Sequence, residues 1–214
     1  MMRTTRKTKG KGHNVGAGAD AGRDTRERIV GAAQVLFWEK GYAATGMAEI
    51  LKRADANAGS FYHFFKGKED VLLAVLDFYL DNLDAQVMDH AFKATTDPVK
   101  RVFNVLAGYR SVILATDFAY GCPLGRLAFE LDPEDRHAHA KIAANFAQWR
   151  DRISDCVKTL GARLKPGIRP DDVAALTLAV MEGGVIQARS EKSIKPFDAA
   201  VKELRRYFDS IARP

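Results

Sequence analysis

The 214-residue sequence contains few cysteines and no long apolar run. No stretch approaches the ~20 consecutive apolar residues that a membrane-spanning helix needs, so a transmembrane protein is excluded. The two cysteines, Cys122 and Cys156, cannot build a disulfide framework, and the basic N-terminus is not followed by the apolar segment of a secretory signal. We therefore expect the protein to work in the reducing cytoplasm.

Signatures of enzymes are missing as well. The sequence has no glycine-rich phosphate loop after a strand pattern, no nucleophile elbow, no HExxH motif and no carboxylate pair clustered on one face. Beyond Asp70 it shows neither strand-like alternation bounded by hairpin signals nor an internal repeat. We expect an all-α protein with no cofactor and no metal site, and an enzyme is a minor alternative.

Positive charge is concentrated at the N-terminus. The formal net charge is +6, of which residues 1–23 hold +5 because six basic residues there face only Asp20. Five glycines and almost no large apolar side chains accompany them, a composition typical of disorder. We interpret residues 1–23 as a disordered basic arm, which either contacts DNA through phosphates or a minor groove or is merely a solubilising or artificially added leader.

The pattern of residues 24–70, here called the headpiece, predicts three short helices. An apolar stripe between Ile29 and Phe37 indicates a first helix that ends at Lys40-Gly41. A second helix is capped by Thr45 or Gly46, and a third follows a tight turn with Asn57 as its N-cap. Two short helices joined by such a turn suggest a helix-turn-helix unit.

Two runs in the headpiece carry a more specific signal. Gly41-Tyr42-Ala43-Ala44-Thr45 is followed by Glu49-Ile50, and Gly59-Ser60-Phe61-Tyr62-His63-Phe64-Phe65-Lys66-Gly67-Lys68-Glu69 comes next. Together they resemble the helix-turn-helix of the TetR family of one-component repressors. The resemblance implies that the DNA-contacting residues are Thr45, Ala58, Gly59, Ser60, Tyr62, His63 and Lys68.

Each residue type suits that duty. Small side chains at 58–60 allow the N-terminal turn of a recognition helix to approach base edges closely. Tyr62, His63 and Lys68 can bond phosphates. Thr45, together with the N-terminal amides of the second helix, offers a further phosphate anchor. The alternatives are that Tyr62 is partly core and His63 simply exposed. Seven basic and seven acidic residues leave the headpiece neutral, so we expect the basic arm to matter for DNA affinity.

The rest of the chain, residues 71–214, is predicted to form a helical ligand-binding and dimerisation domain. Counting the headpiece, we expect about nine helices, with the fourth spanning about 68–93 and the seventh about 133–163. Family resemblance implies a ligand pocket within helices four to seven and a homodimer interface on helices eight and nine.

Helix eight, predicted to start at Pro170, is rich in small residues that would let another helix approach closely, namely Ala174, Ala175, Ala179, Gly183, Gly184 and Ala188. The alternative is tight packing within one subunit. Dimerisation would place two recognition helices ~34–36 Å apart, which suits a palindromic double-stranded operator.

The segment Tyr120-Gly121-Cys122-Pro123-Leu124-Gly125-Arg126-Leu127-Ala128-Phe129-Glu130-Leu131 resembles a G-C-x-x-G-x-L-x-x-E-L signature of one TetR subgroup, which includes sensors of electrophiles and small unsaturated acids. Cys122 precedes Pro123 at a helix N-terminus, where the helix dipole can lower a thiol pKa. The alternative is a small buried hydrophobe. Tyr109, Phe118 and Trp149 are the aromatic residues that we expect nearest to a ligand.

The sequence therefore predicts a repressor that binds a palindromic operator as a homodimer and is released by a small-molecule inducer, an electrophile or a small apolar compound, with coupling through helix four. A sequence-tolerant, nucleoid-type DNA-binding protein is the alternative. Footprinting separates the two, because only the repressor protects a discrete palindrome.

Overall fold

A computed structural model describes residues 15–213, and only the backbone at 15–23, 83, 84 and 86. In this part of the chain ten α-helices follow one another without a strand, in agreement with the predicted all-α fold. They are α1 (Val15–Lys40), α2 (Met47–Arg53), α3 (Ala58–Phe64), α4 (Lys68–Leu83), α5 (Asp89–Lys93), α6 (Pro98–Ala115), α7 (Pro123–Glu130), α8 (Arg136–Lys158), α9 (Pro170–Glu191) and α10 (Lys195–Ile211).

The helix count differs from the predicted nine at one place. A π-helical turn, Asp84–Met88, joins α4 to α5, so that one helical run covers the predicted fourth helix. The predicted helices five to nine correspond to α6 to α10. α8 is shorter than the predicted seventh helix, which was expected to span about 133–163. It ends at Lys158, and a 3₁₀ turn, Gly161–Arg163, follows it.

The first helix begins earlier than the sequence pattern indicated. Residues 15–23 belong to α1, although they were predicted to be part of a disordered arm. Ala17, Ala19 and Ala21 favour a helix, and extending an existing helix avoids the cost of nucleation. The remainder of the predicted arm, residues 1–14, lies outside the described residues.

Buried side chains form two clusters. One contains the apolar faces of α1 to α4 and also Leu124 and Leu127 from α7 and Ile142 from α8. The other joins α5, α6, α8, α9 and α10. Tyr109 and Phe146 pack against both clusters. The helix-turn-helix therefore shares its core with α7 and α8 and is not packed as an isolated unit.

Candidate DNA interface and ligand cavity

The turn between α2 and α3 is held by two polar side chains and by the backbone conformation of Asp55. Asp55 adopts a φ of +47°, a conformation that aspartate tolerates better than most residues. Arg28 on α1 donates from Nε to the Ala54 carbonyl at 3.0 Å and from Nη2 to the Asp55 carbonyl at 3.2 Å. Oδ1 of Asn57 accepts the Ser60 N–H at 2.8 Å, which confirms the predicted N-cap.

The outer face of α3 is open to solvent. Ala58, Gly59 and His63 are exposed, and Tyr62 is 69% exposed although it is large and aromatic. Phe61 on the opposite face is completely buried. A small-residue N-terminal turn followed by polar side chains is a surface that fits a DNA groove and its flanking phosphates. Ser60 is half-buried on the same turn.

Thr45 faces inward, so the prediction that its hydroxyl contacts phosphate is wrong. The residue is 1% exposed, and Oγ1 donates to the Gly41 carbonyl at 2.6 Å. Its hydroxyl joins the end of α1 to the start of α2 and has no path to DNA.

Lys68 also bonds to the protein itself. Its Nζ lies 2.9 Å from the Tyr42 carbonyl, 3.0 Å from the Thr45 carbonyl and 4.3 Å from the centre of the Tyr42 ring. Two of the three ammonium donors are used in this way, which leaves one donor. Sequence reasoning did not foresee that this lysine also holds the α1–α2 turn.

A cavity of about 510 Å³ lies between α1, the α4–α5 region, α6 and the start of α7. Its lining residues are Gln34, Val35, Trp38, Tyr79, Val87, His90, Ala91, Asn104, Val105, Gly108, Tyr109, Val112, Gly121 and Pro123. None of these is Lys, Arg, Asp or Glu. The volume is typical of small-molecule sites. Three of the lining residues belong to α1, the first helix of the headpiece.

Only one of the four predicted ligand residues, Tyr109, lines this cavity. Phe118 lies in the α6–α7 turn with a φ of +61° and packs against the core of the helical body. Trp149 is 2% exposed within the same core. The sequence identified both residues as apolar but could not show that the cavity is lined by α1, the α4–α5 region, α6 and the start of α7, and not by α8 or the α6–α7 turn.

Cys122 lies between two cavity residues, Gly121 and Pro123, but its thiol is buried. Burial raises the pKa of this thiol well above its usual range, and the neighbouring Glu182 carboxylate raises it further. Hydrogen bonds from the backbone N–H groups of Gly125 and Leu124 at the α7 N-terminus lower the thiol pKa, but by less than burial and Glu182 raise it. The prediction of a lowered thiol pKa is therefore wrong, because the thiol is buried and the Glu182 carboxylate of α9 lies beside it.

The glycines beside Cys122 explain the spacing of its motif. A Cβ at Gly121 would lie 2.5 Å from Cγ1 of Val185, and one at Gly125 would lie 2.5 Å from Oε2 of Glu182. Both contacts are closer than real Cβ atoms allow. The two glycines thus let the start of α7 lie directly on α9.

The small residues of α9 form two separate stripes. Ala174, Gly184 and Ala188 are buried, and a Cβ at Gly184 would lie 2.9 Å from the Phe197 ring on α10. The second stripe consists of four exposed residues, Ala175, Leu176, Ala179 and Ile186, and of the half-buried Gly183, which has open space beside it. Packing within the chain accounts for the first stripe only.

The described residues offer neither a membrane-spanning helix nor a metal site. None of their helices is long and apolar enough to cross a membrane. No group of three His, Cys, Asp or Glu among the same residues could hold a metal ion.

The fold and the open face of α3 define a helix-turn-helix DNA-binding protein. The model of bacterial regulatory proteins, tetR family, matches residues 29–75, and that of the LmrA/YxaF-like transcriptional regulator C-terminal domain matches residues 98–203. An uncharacterized HTH-type transcriptional regulator of Mycobacterium tuberculosis is 30% identical over 84% of this chain and 92% of its own. The chain belongs to the TetR family of transcriptional regulators.

Two other relatives extend the comparison. The HTH-type transcriptional repressor DhaR of a Mycobacterium species is 26% identical over 81% of this chain and 86% of its own. The crystal structure of a regulatory protein TetR from Rhodobacter sphaeroides has a TM-score of 0.76 at 26% identity, covering 85% of this chain and 97% of that one.

Proposed function

We propose that this regulator is a ligand-responsive repressor that binds a palindromic operator as a homodimer in the cytoplasm and releases it when a small molecule occupies the cavity. The observation that carries the proposal is the composition of the cavity wall. Gln34, Val35 and Trp38 come from α1, the helix against which α2 and α3 pack. A bound molecule therefore touches α1 of the headpiece itself, in addition to the helix four through which the sequence suggested coupling.

DNA contact is supported by the exposed Ala58, Gly59, Tyr62 and His63 on α3 and by the remaining donor of Lys68. Repression is supported by the similarity to the repressor DhaR. The exposed stripe of α9 supports a homodimer through α9 and α10, because small residues beside Leu176 and Ile186 would let a second α9 approach closely.

The cavity lining favours an uncharged, mostly apolar inducer. A free carboxylic acid would lose its hydration there without meeting a lysine or arginine among the lining residues. Amide, imidazole and phenol groups from Asn104, His90 and Tyr109 offer a few hydrogen bonds for orientation. The buried thiol of Cys122 with its raised pKa supports reversible binding over covalent capture of an electrophile.

Selection of duplexes from a random DNA library with the purified protein, followed by footprinting, tests operator binding. We expect a discrete palindromic footprint. Uniform protection of every duplex would instead support the nucleoid-type alternative. In the same operator-binding test, Tyr62→Phe and Tyr62→Ala are compared as a matched pair, because the first removes only the hydroxyl and the second also removes the exposed ring.

Nile red, an uncharged aromatic dye, tests the cavity. Gly108 lines it, and a Cβ there meets no atom within 4 Å, so Gly108→Phe should fill the space without disturbing the fold. We expect this variant to lose dye binding at least ~10-fold. Gly31→Phe, which also has open space but lies outside the cavity lining, is the control. Equal dye binding by all three proteins would contradict the proposed site.

A further inference from the structure

Arg126 on α7 caps the first helix of the DNA-binding unit. Its Nη2 donates to the Lys40 carbonyl at 2.6 Å, and its Nη1 lies 3.3 Å from the carbonyls of both Trp38 and Glu39. The last carbonyls of a helix have no partner within the helix and carry the negative end of its dipole. One guanidinium group therefore neutralises the end of α1 from a helix that is distant in the sequence.

Glu130, one turn further along α7, holds both Arg126 and the α1–α2 turn. Its Oε1 accepts from Nε of Arg126 at 2.6 Å, and Oε2 lies 3.4 Å from the Ala43 N–H. Gly41 has a φ of +93°, and a Cβ at this position would overlap the Glu130 carboxylate and Arg126. The backbone between α1 and α2 thus rests directly on this ion pair.

The other end of the same segment touches the cavity. Nε1 of Trp38 donates to the Gly121 carbonyl at 2.7 Å, and both residues line the cavity. Gly121 and Gly125 lie against Val185 and Glu182 of α9. Residues 121–131 are thus supported by α9 on one side and contact the cavity wall and the end of α1 on the other.

We infer that Arg126 and Glu130 are positioning residues for operator binding, because they set the orientation of α1 and α2. When a cavity ligand displaces Trp38 and Gly121, the same two residues transmit that displacement to the helix-turn-helix. The ligand-transmission part of this inference rests on the proposed function. The positioning part does not, since it follows from the contacts of Arg126 and Glu130 with the end of α1 and the α1–α2 turn.

The test compares Arg126→Gln, Arg126→Lys and Glu130→Gln with Arg169→Gln, a control at a largely exposed arginine whose ion pair with Asp172 is long at 3.8 Å. Three quantities are measured on the full chain: hydrogen exchange of the peptide spanning residues 38–53, affinity for the selected operator, and affinity for Nile red. We expect Arg126→Gln to exchange faster in that peptide, to bind the operator at least ~10-fold more weakly, and to bind Nile red within about twofold of the wild type.

Partial recovery in Arg126→Lys is expected, because a lysine keeps the charge but cannot bond three carbonyls and Glu130 together. Unchanged exchange at residues 38–53 in both Arg126→Gln and Glu130→Gln would overturn the inference even if no operator were found. Loss of operator and dye affinity in parallel with a lower melting temperature would also overturn it, because a merely structural role predicts that result. Failure of Gly108→Phe to affect dye binding would reject the proposed cavity and leave the exchange result standing.

Discussion

The hydroxyl of Thr45 donates to the carbonyl oxygen of Gly41 at 2.6 Å and lies 3.4 Å from the Leu36 carbonyl. This contact closes the turn between α1 and α2 from the inside, while Lys68 closes it from the outside. The threonine of the GYAAT run is therefore a structural residue of the headpiece, although its place in the motif suggested DNA contact.

Thr45→Val should destabilise the protein by about 1–3 kcal/mol, because a buried carbonyl loses its donor while the volume of the side chain is kept. Thr45→Ser keeps the hydroxyl and should lower the free energy of unfolding by less than Thr45→Val does. Urea unfolding at fixed protein concentration measures both. The slope of log operator affinity against log salt concentration should be the same in both variants and the wild type. A smaller slope in Thr45→Val would reveal a phosphate contact of the threonine hydroxyl.

Gly125→Ala should destabilise the protein by up to about 1–3 kcal/mol, because its Cβ would lie 2.5 Å from Oε2 and 3.2 Å from Cδ of Glu182, and this largely buried carboxylate would have to move. Gly31→Ala is the matched control. It also lies within a helix but has open space around a Cβ, so it should stabilise α1 by about 0.5–1 kcal/mol. Thermal unfolding measures both changes, and two changes of the same sign would contradict the packing argument.

Local signals predicted much of the fold. Asn57 as an N-cap, Pro98 and Pro123 in the first turns of their helices and the end of α1 at Lys40 were all readable because each depends on neighbouring residues. The inward turn of Thr45 was not readable, since it depends on the carbonyls that α1 presents to the hydroxyl.

The candidate cavity was harder to predict than the helices. Its α1 wall is set by the angle at which α1 crosses the helical body, and no periodicity encodes that angle. The chemistry of Cys122 failed for the same reason. A helix N-terminus is a local feature that lowers a thiol pKa. The opposing burial comes from the core cluster that Cys122 shares with α1 to α4, and the Glu182 carboxylate comes from α9, and both depend on packing between distant segments.

Cys122 should react slowly with electrophiles in the native protein. Each unit by which burial raises its pKa lowers the thiolate fraction about tenfold, so we expect iodoacetamide labelling at least ~10-fold slower than for glutathione at the same pH. Mass spectrometry of labelled peptides measures the rate, and urea-unfolded protein provides the fully reactive control. Native labelling as fast as that of glutathione would restore the electrophile-sensor hypothesis for this residue.

Removal of residues 2–14 should weaken operator binding and flatten its salt dependence, because this segment carries Arg3, Arg6, Lys7, Lys9 and Lys11 while the headpiece is neutral. Each lost phosphate contact reduces the slope of log affinity against log salt by about 0.9. A variant with the five basic residues changed to glutamine keeps the length of the segment and should behave like the deletion. Equal slopes for all three proteins would show that the segment does not contact DNA.

Glu182→Gln should stabilise the protein in a pH-dependent manner. Burial raises the pKa of Glu182 in the folded state by more than the hydrogen bond with the Cys122 thiol lowers it, and its Oε1 has no hydrogen-bond partner. The folded state then holds this proton more tightly than the unfolded state, so the free energy of unfolding of the wild type falls as pH rises through the folded pKa. Glutamine carries no charge at any pH and avoids this loss.

The stability difference between Glu182→Gln and the wild type should therefore be small below the pKa of an unfolded glutamate and grow to about 1–3 kcal/mol at mildly alkaline pH. Urea unfolding across the pH range at one protein concentration measures it. Glu203→Gln is the control, because Glu203 forms a surface ion pair with Arg206 in which both side chains are 63% exposed, and it should shift stability by less than about 1 kcal/mol. A destabilised Glu182→Gln at alkaline pH would show that the buried carboxylate is held by a favourable partner, and α9 would then be joined to α7 by attraction and not merely by close packing.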